Sequence, residues 1–163
     1  FRIKHQRFTK ADISPLAGFL SKQEKIKKIV IDVDNIDYNL RDDSIITMFV
    51  VFIRENPKLR DLTFRIRNAI SVTDTSIVKI DEAMGHLKSL ESLDLQLTST
   101  TLLDTSVFKL IKTTMESKKL KKVCLNFEES VNLSRDSRIR MTEYFRNELE
   151  KSNKDQSSYI SVL

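Results

Sequence analysis

The sequence predicts an α/β chain built from repeating units of helix, short turn, strand and loop. Three observations predict it. Four segments share the apolar pattern L-x-x-L-x-L-x-L, at 26–33, 59–66, 90–97 and 120–127, and their first residues lie 33, 31 and 30 apart. A near-constant period in this range is the signature of a repeat protein. Inside each segment apolar and polar residues alternate, as in a strand with one buried face. Ahead of each segment the apolar spacing is three and four, as in a helix with one buried stripe.

Columns far from the segment's first residue test the register. Thirteen residues ahead stand Ile13, Ile46, Ile77 and Val107, and ten ahead stand Leu16, Phe49, Ile80 and Leu110. Three, five and seven residues after the first position the columns are again apolar, for example Ile31, Phe64, Leu95 and Leu125. At 40% apolar composition one such column arises by chance with a probability of about 0.03, so six together support a true repeat.

Each element then has its own justification. Phe1 and Ile3 alternate as the tail of a strand. Ser14 before Pro15 reads as an N-cap with proline at the first helical position. Ile45, Ile46, Phe49, Val50, Phe52 and Ile53 form the second helix's stripe, and Asn56-Pro57 stops it. Gly85 caps the third helix, and Asp104 is the N-cap expected for a helix over 107–115. Met141, Tyr144, Phe145 and Leu149 predict a last helix, and Ile160 and Val162 a last strand. That strand breaks the register, because a first position at Ser157 gives a gap of 37 and puts Asn147 in an apolar column. Residues 1–130 are therefore read as about four strand–helix units of period 30–33. Residues 131–163 read as an atypical terminal repeat or a cap, with an insertion over 128–156 as the alternative.

Composition bounds the function. The 163 residues suit one domain, and 40% hydrophobic with 31% charged residues describes a soluble globular chain. The longest apolar cluster, 45–53, contains Thr47 and is far short of a membrane span, so no membrane partner is expected. Lys and Arg number 28 against 23 Asp and Glu, a net charge of +5 that permits an acidic partner without requiring one. A single cysteine, Cys124, excludes an internal disulfide and a cysteine-built zinc site. It suits an intracellular setting: cytoplasm, cytoskeleton or nucleus. His5 and His86 are too few and too far apart to suggest a metal cluster. Asp32, Asp34, Asp37, Asp42 and Asp43 lack the ordered spacing and glycine of a calcium loop, and helix capping by Asp42 or Asp43 is the better reading. Cys124 has no histidine near it in its strand, so it reads as an inert thiol. Asn132-Leu133-Ser134 matches a glycosylation sequon that a reduced compartment leaves unused. No glycine-rich phosphate loop, nucleophile elbow or His-Glu-x-x-His is found, so no catalytic, cofactor or metal residues are assigned and an enzyme is not expected. The chain begins at Phe1 and reads as a piece of a longer protein.

Two stretches carry a resemblance. Leu87-Lys-Ser-Leu-Glu-Ser-Leu-Asp-Leu95 and Asn56-Pro-Lys-Leu-Arg-Asp-Leu-Thr-Phe64 resemble leucine-rich repeat sequence. The long period is most similar to the ribonuclease-inhibitor-like and F-box-associated branches. The resemblance covers about residues 1–130. It implies a curved solenoid with a parallel sheet on the concave face, helices on the convex face, and protein partners. Where the family usually has Asn or Cys to tie the turn, this chain has Asp34, Arg67, Thr98 and Glu128. A doubly wound α/β domain is the structural alternative, but its strands read as continuous apolar runs, and these alternate.

Function is expected on two surfaces. The outward strand residues include Val30 and Cys124 and the partner-binding candidates Asp32, Thr63, Arg65, Asp94, Gln96 and Asn126. That face is polar, mixed in sign and without aromatic anchors. A basic rim is expected from Lys27, Lys28, Lys58, Arg60, Lys88, Lys119, Lys121 and Lys122, with Lys25 and Lys118 beside them. The leading expectation is a protein–protein interaction module, a scaffold, adaptor or complex subunit without catalysis. The alternatives are an acidic partner or nucleic acid on the lysine rim, with nucleic acid not favoured, or an unrecognised α/β enzyme domain.

Overall fold

Strand follows strand across the sheet in the order of the chain. In the computed structural model, residues 2–5, 15, 18–19, 26–33, 44–68 and 72–162 are described. The expectations placed on Phe1, Ile13, Ser14, Leu16, Lys25, Asp34, Asp37, Asp42 and Asp43 lie outside the described residues. The elements are β1 (Arg2–His5), β2 (Lys28–Val33), α1 (Ser44–Glu55), β3 (Asp61–Ile66), α2 (Asp74–Met84), β4 (Ser92–Leu97), α3 (Asp104–Glu116), β5 (Lys122–Asn126), α4 (Arg135–Lys151) and β6 (Tyr159–Ser161). The six strands form one sheet in the order β1-β2-β3-β4-β5-β6. Every neighbouring pair is parallel. A doubly wound sheet reverses its strand order partway, and the described strands show no reversal.

The register matches the repeat columns. Val30, Thr63, Asp94 and Cys124 lie side by side, as their spacings of 33, 31 and 30 require. The last strand also joins: Tyr159 stands opposite Cys124 and Ser161 opposite Asn126. That step is 35 residues, and α4 has 17 residues where α3 has 13, which takes up most of the excess. The strand that breaks the sequence's register when Ser157 is put first therefore pairs with Asp155, two positions earlier, in first position.

The strand residues that alternate inward are buried, among them Ile31, Phe64, Leu95 and Leu125. Helix residues of the same repeats cover them, including Phe49, Phe52, Ile80, Leu110 and Phe145. Phe49 of α1 stacks on Phe64 of β3 with ring centroids 3.7 Å apart and planes 16° from parallel. Each helix packs on the next, α1 on α2, α2 on α3 and α3 on α4. The four described helices thus form a single layer on one face of the sheet.

Local chemistry explains the boundaries. α1 ends at Glu55, before Asn56-Pro57, and the Asn56 amide donates to the Phe52 carbonyl at 2.9 Å. Gly85 follows α2 in right-handed conformation, φ −58°, so its freedom at positive φ is not used. Leu103, not Asp104, is the N-cap of α3. Asp104 stands one residue inside and turns its carboxylate to the start of α4, accepting from Ser134 N at 3.0 Å, Ser134 Oγ at 2.9 Å and Ser137 Oγ at 2.6 Å. Asp74 does the same one repeat earlier, accepting from Leu103 N at 3.0 Å.

The turns after β3, β4 and β5 share a left-handed residue. Asn68, Ser99 and Glu129 adopt φ of 55°, 57° and 59°, in register 31 and 30 residues apart. Thr100 and Ser130 pair their buried hydroxyls at 2.6 Å. The C-terminal segment is fastened from α4 and from 154. Arg138 donates to the carbonyls of Leu133 at 3.0 Å and Ser130 at 2.7 Å, and also to that of Val162. Lys154 is buried and donates to the carbonyls of Met115 and Ser117, each at 2.9 Å, at the end of α3.

Candidate functional site

The face of the sheet away from the helices carries two cross-strand rows. One row is Val30, Thr63, Asp94, Cys124 and Tyr159; the other is Asp32, Arg65, Gln96, Asn126 and Ser161. The strands' alternation puts these side chains on one surface. All six expected partner-binding residues lie here: Asp32 is buried, and Thr63, Arg65, Asp94, Gln96 and Asn126 are half-buried.

Arg65, Asp94 and Gln96 are joined to one another, and Asp32 and Asn126 are joined to residues of the adjoining turns. Arg65 Nε donates to Asp94 Oδ2 at 3.1 Å, and its terminal nitrogen binds the same oxygen. Gln96 Nε2 donates to Asp94 Oδ1 at 2.9 Å and to the Tyr159 hydroxyl at 3.3 Å. Arg67 bonds Asp32 at 3.0 Å. Asn126 accepts from the Glu128 amide at 2.9 Å, and Glu128 accepts from the Ser161 hydroxyl. The Asp94 hydrogen bond raises the Arg65 pKa above its ordinary value, against the effect of burial. So Arg67 and Glu128 tie the turns after β3 and β5 to this face through their side chains.

Tyr159 corrects the expectation of a face without aromatics. It is 43% exposed and stands in the same row as Asp94 and Cys124. Its signal in the sequence was hidden by the irregular spacing of the last unit. Burial pushes the Tyr159 hydroxyl pKa up, and the nearby Asp94 carboxylate adds to this. Cys124 is buried in the row, and burial raises its thiol pKa, which disfavours a reactive thiolate.

The lysine rim lies at the other end of the strands, where helices turn into strands. Lys27, Lys28, Lys58, Arg60, Lys88, Lys118, Lys119, Lys121 and Lys122 are exposed there. A backbone ladder stacks one position per repeat: Arg60 N donates to Lys27 O, Glu91 N to Arg60 O and Lys121 N to Glu91 O, each at 2.8 Å. Glu91 therefore interrupts the basic column. It pairs with Lys121 at 2.7 Å and Arg60 at 3.8 Å. The Lys121 hydrogen bond holds its carboxylate below the usual range. Reading the column one residue after each segment's first position, Lys27, Arg60, Glu91, Lys121, finds this break in the sequence itself.

Other candidates are placed as follows. Asn132 of the sequon donates its amide to Thr101 O at 2.7 Å, and Ser134 caps α4. Among the described residues no cluster of His, Cys, Asp and Glu is arranged to hold a metal ion. No described helix is long and apolar enough to cross a membrane.

No model of a known protein family matches the chain. No curated protein matches it either. Among solved structures, one titled "Leiomodin-1 Actin-Binding Site 2 (ABS2)" is similar in fold, with a TM-score of 0.59 over 95% of this chain and 79% of that chain. The two sequences are 9% identical over the match, so the likeness is one of fold: a parallel α/β architecture shared with a protein that its title describes as binding actin.

Proposed function

We propose that this chain is a protein-binding module of the leucine-rich repeat type, acting as a scaffold, adaptor or assembly subunit inside the cell and carrying no catalysis of its own. The observation that carries the reading is the open sheet face, where strands in sequential order present two rows of cross-linked polar side chains. Side chains fixed in this way lose little conformational freedom when a partner docks. Charge on the face is largely cancelled within it, so shape and hydrogen bonding select the partner. Tyr159 and Arg65 are residue types that concentrate binding energy in interfaces. The solenoid reading rests on the constant period and on the single layer of helices.

The test is a pull-down from the native source with wild-type protein and with Arg65→Ala, Asp94→Ala and Gln96→Ala. Loss of one dominant partner, with the circular dichroism spectrum unchanged, is the expected result. An unchanged partner set overturns the assignment to this face. Actin is the first purified partner to try, by co-sedimentation with filaments, because the similar structure's title names actin binding. The lysine rim is the second reading, favoured by the exposure of Lys88, Lys118 and Lys119 at one end of the sheet. It predicts binding that weakens steeply with salt.

A further inference from the structure

A groove of about 450 Å³ runs between α3 and α4 on the side of the helices away from the sheet. Two helical stripes form it. Thr105, Phe108, Lys109 and Lys112 follow the i, i+3, i+4, i+7 pattern on α3, and Ser137, Arg140, Met141 and Tyr144 follow it on α4. Residues so spaced share one face of a helix. Phe108 and Met141 provide the apolar part of the groove. The ring contact of Phe108 with Tyr144, centroids 5.3 Å apart, bounds one end. The bond between Asp104 and Ser137 bounds the other.

The walls are cationic. Lys109, Lys112 and Arg140 all line the groove and are exposed. The acidic lining residue, Asp104, is held by three hydrogen bonds at the start of α4. Lys109 reaches buried Asp81 at 3.4 Å and Lys112 reaches Glu116 at 3.9 Å, yet their side chains remain 62% and 57% exposed. The stripe from Thr105 to Lys112 spans about 11 Å, the length of two helical turns.

We propose that this groove is a second docking site, which receives an acidic amphipathic helix from a partner protein. One or two large apolar side chains of that helix would fill the space beside Phe108 and Met141, and its flanking carboxylates would meet Lys109, Lys112 and Arg140. This is the helix-in-groove mode of recognition. Charge complementarity selects the occupant: an apolar floor between cationic walls suits a helix with an apolar stripe edged by Glu and Asp. The site is independent of the open sheet face, so either proposal can fail without the other.

The probe is a labelled synthetic helix with Leu at i, i+3 and i+7 and Glu on both flanks, titrated by fluorescence anisotropy. Saturable binding is expected, and a matched peptide with Lys in place of Glu should bind at least about tenfold more weakly. Thr105→Trp, a substitution at an exposed position that fills the groove, should abolish binding while the protein stays folded by circular dichroism. The pair Lys112→Glu with Arg140→Glu should invert the preference between the two peptides. No saturable binding of the acidic helix, equal binding of both peptides, or indifference to Thr105→Trp would each overturn the proposal. Arg65→Ala on the open face should leave this binding unchanged.

Discussion

Asp104 and Lys154 show how single side chains replace the backbone pairings that a perfect repeat would make. Burial works against ionisation of Asp104, but hydrogen bonds from Ser137 and Ser134 and the charge of Arg140 outweigh it and hold its pKa below the ordinary carboxylate value. A carboxylate depressed in the folded state stabilises the protein above its unfolded pKa and loses that contribution as pH falls through the folded pKa. Asp104→Asn should therefore lower stability by a constant amount at neutral pH, and the gap to wild type should shrink as the pH drops below about 4. Urea unfolding at a series of pH values checks this, and a gap independent of pH in the acid range would refute it. Lys154 is a different case, because burial lowers its pKa while its ammonium group serves two carbonyls at the end of α3. Lys154→Met keeps the aliphatic stem and removes the donors, so it should cost about 1 to 3 kcal/mol in chemical denaturation. Ser99, at φ 57°, tests the turns. Ser99→Val should destabilise by about 1 to 2 kcal/mol, since a left-handed residue tolerates a branched side chain poorly. Ser99→Gly should be far milder.

At the scale of elements, Phe64 joins strand and helix layers through its stack on Phe49. Phe64→Ala should cost about 3 to 5 kcal/mol, the range for removing a fully buried aromatic ring, measured by thermal or urea unfolding. A cost below about 1 kcal/mol would mean that the α1–β3 contact is not part of the cooperative core. The inward half of this architecture was legible in the sequence because burial selects residue type directly. Every described member of the apolar columns from Ile29 to Phe127 is buried, and Ile26 at the head of the first segment is half-buried. The joints were less legible. Asp104 looks like an N-cap from its neighbours, yet the residue it serves is 30 positions away, at the start of the next helix. Tyr159 escaped because, although Ile160 and Val162 mark a last strand, the longer chain between β5 and β6 hides its register against β5. Side-chain ties such as Arg65 with Asp94 are compatible with the pattern without being dictated by it, since a polar outward position is satisfied equally well by solvent. The groove between α3 and α4 is visible in the sequence only as two polar-edged stripes. It takes the packing of the two helices to make them face one another.

For the molecule as a whole, the arrangement of charge matters more than its sum. The net charge of +5 is spread over a face where acids and bases are paired and a rim where most cations are exposed. On the rim, Glu91 sits between Arg60 and Lys121 and breaks a column that would otherwise be basic from Lys27 to Lys121; the ladder's next member, Asp155, is acidic again. A continuous column would bind polyanions by counterion release; a broken one divides the cations into shorter runs with weaker joint attraction. Glu91→Lys changes the charge at the centre of the rim by two, from −1 to +1, and frees Arg60 and Lys121 from their present partner. The variant should elute from a heparin column at clearly higher salt than wild type. The dependence of log K on log salt for a short duplex should also steepen by about one to two, as each further phosphate neutralised adds about 0.9 to the slope. Arg65→Ala on the open face, by contrast, should leave both readings where they are. If Glu91→Lys alters neither elution nor slope, the rim does not act as one electrostatic surface. Its lysines then serve only to keep the ends of the strands solvated, as charged side chains do on many sheets. If the variant gains and wild type binds weakly, Glu91 is the residue that keeps the rim from capturing nucleic acid.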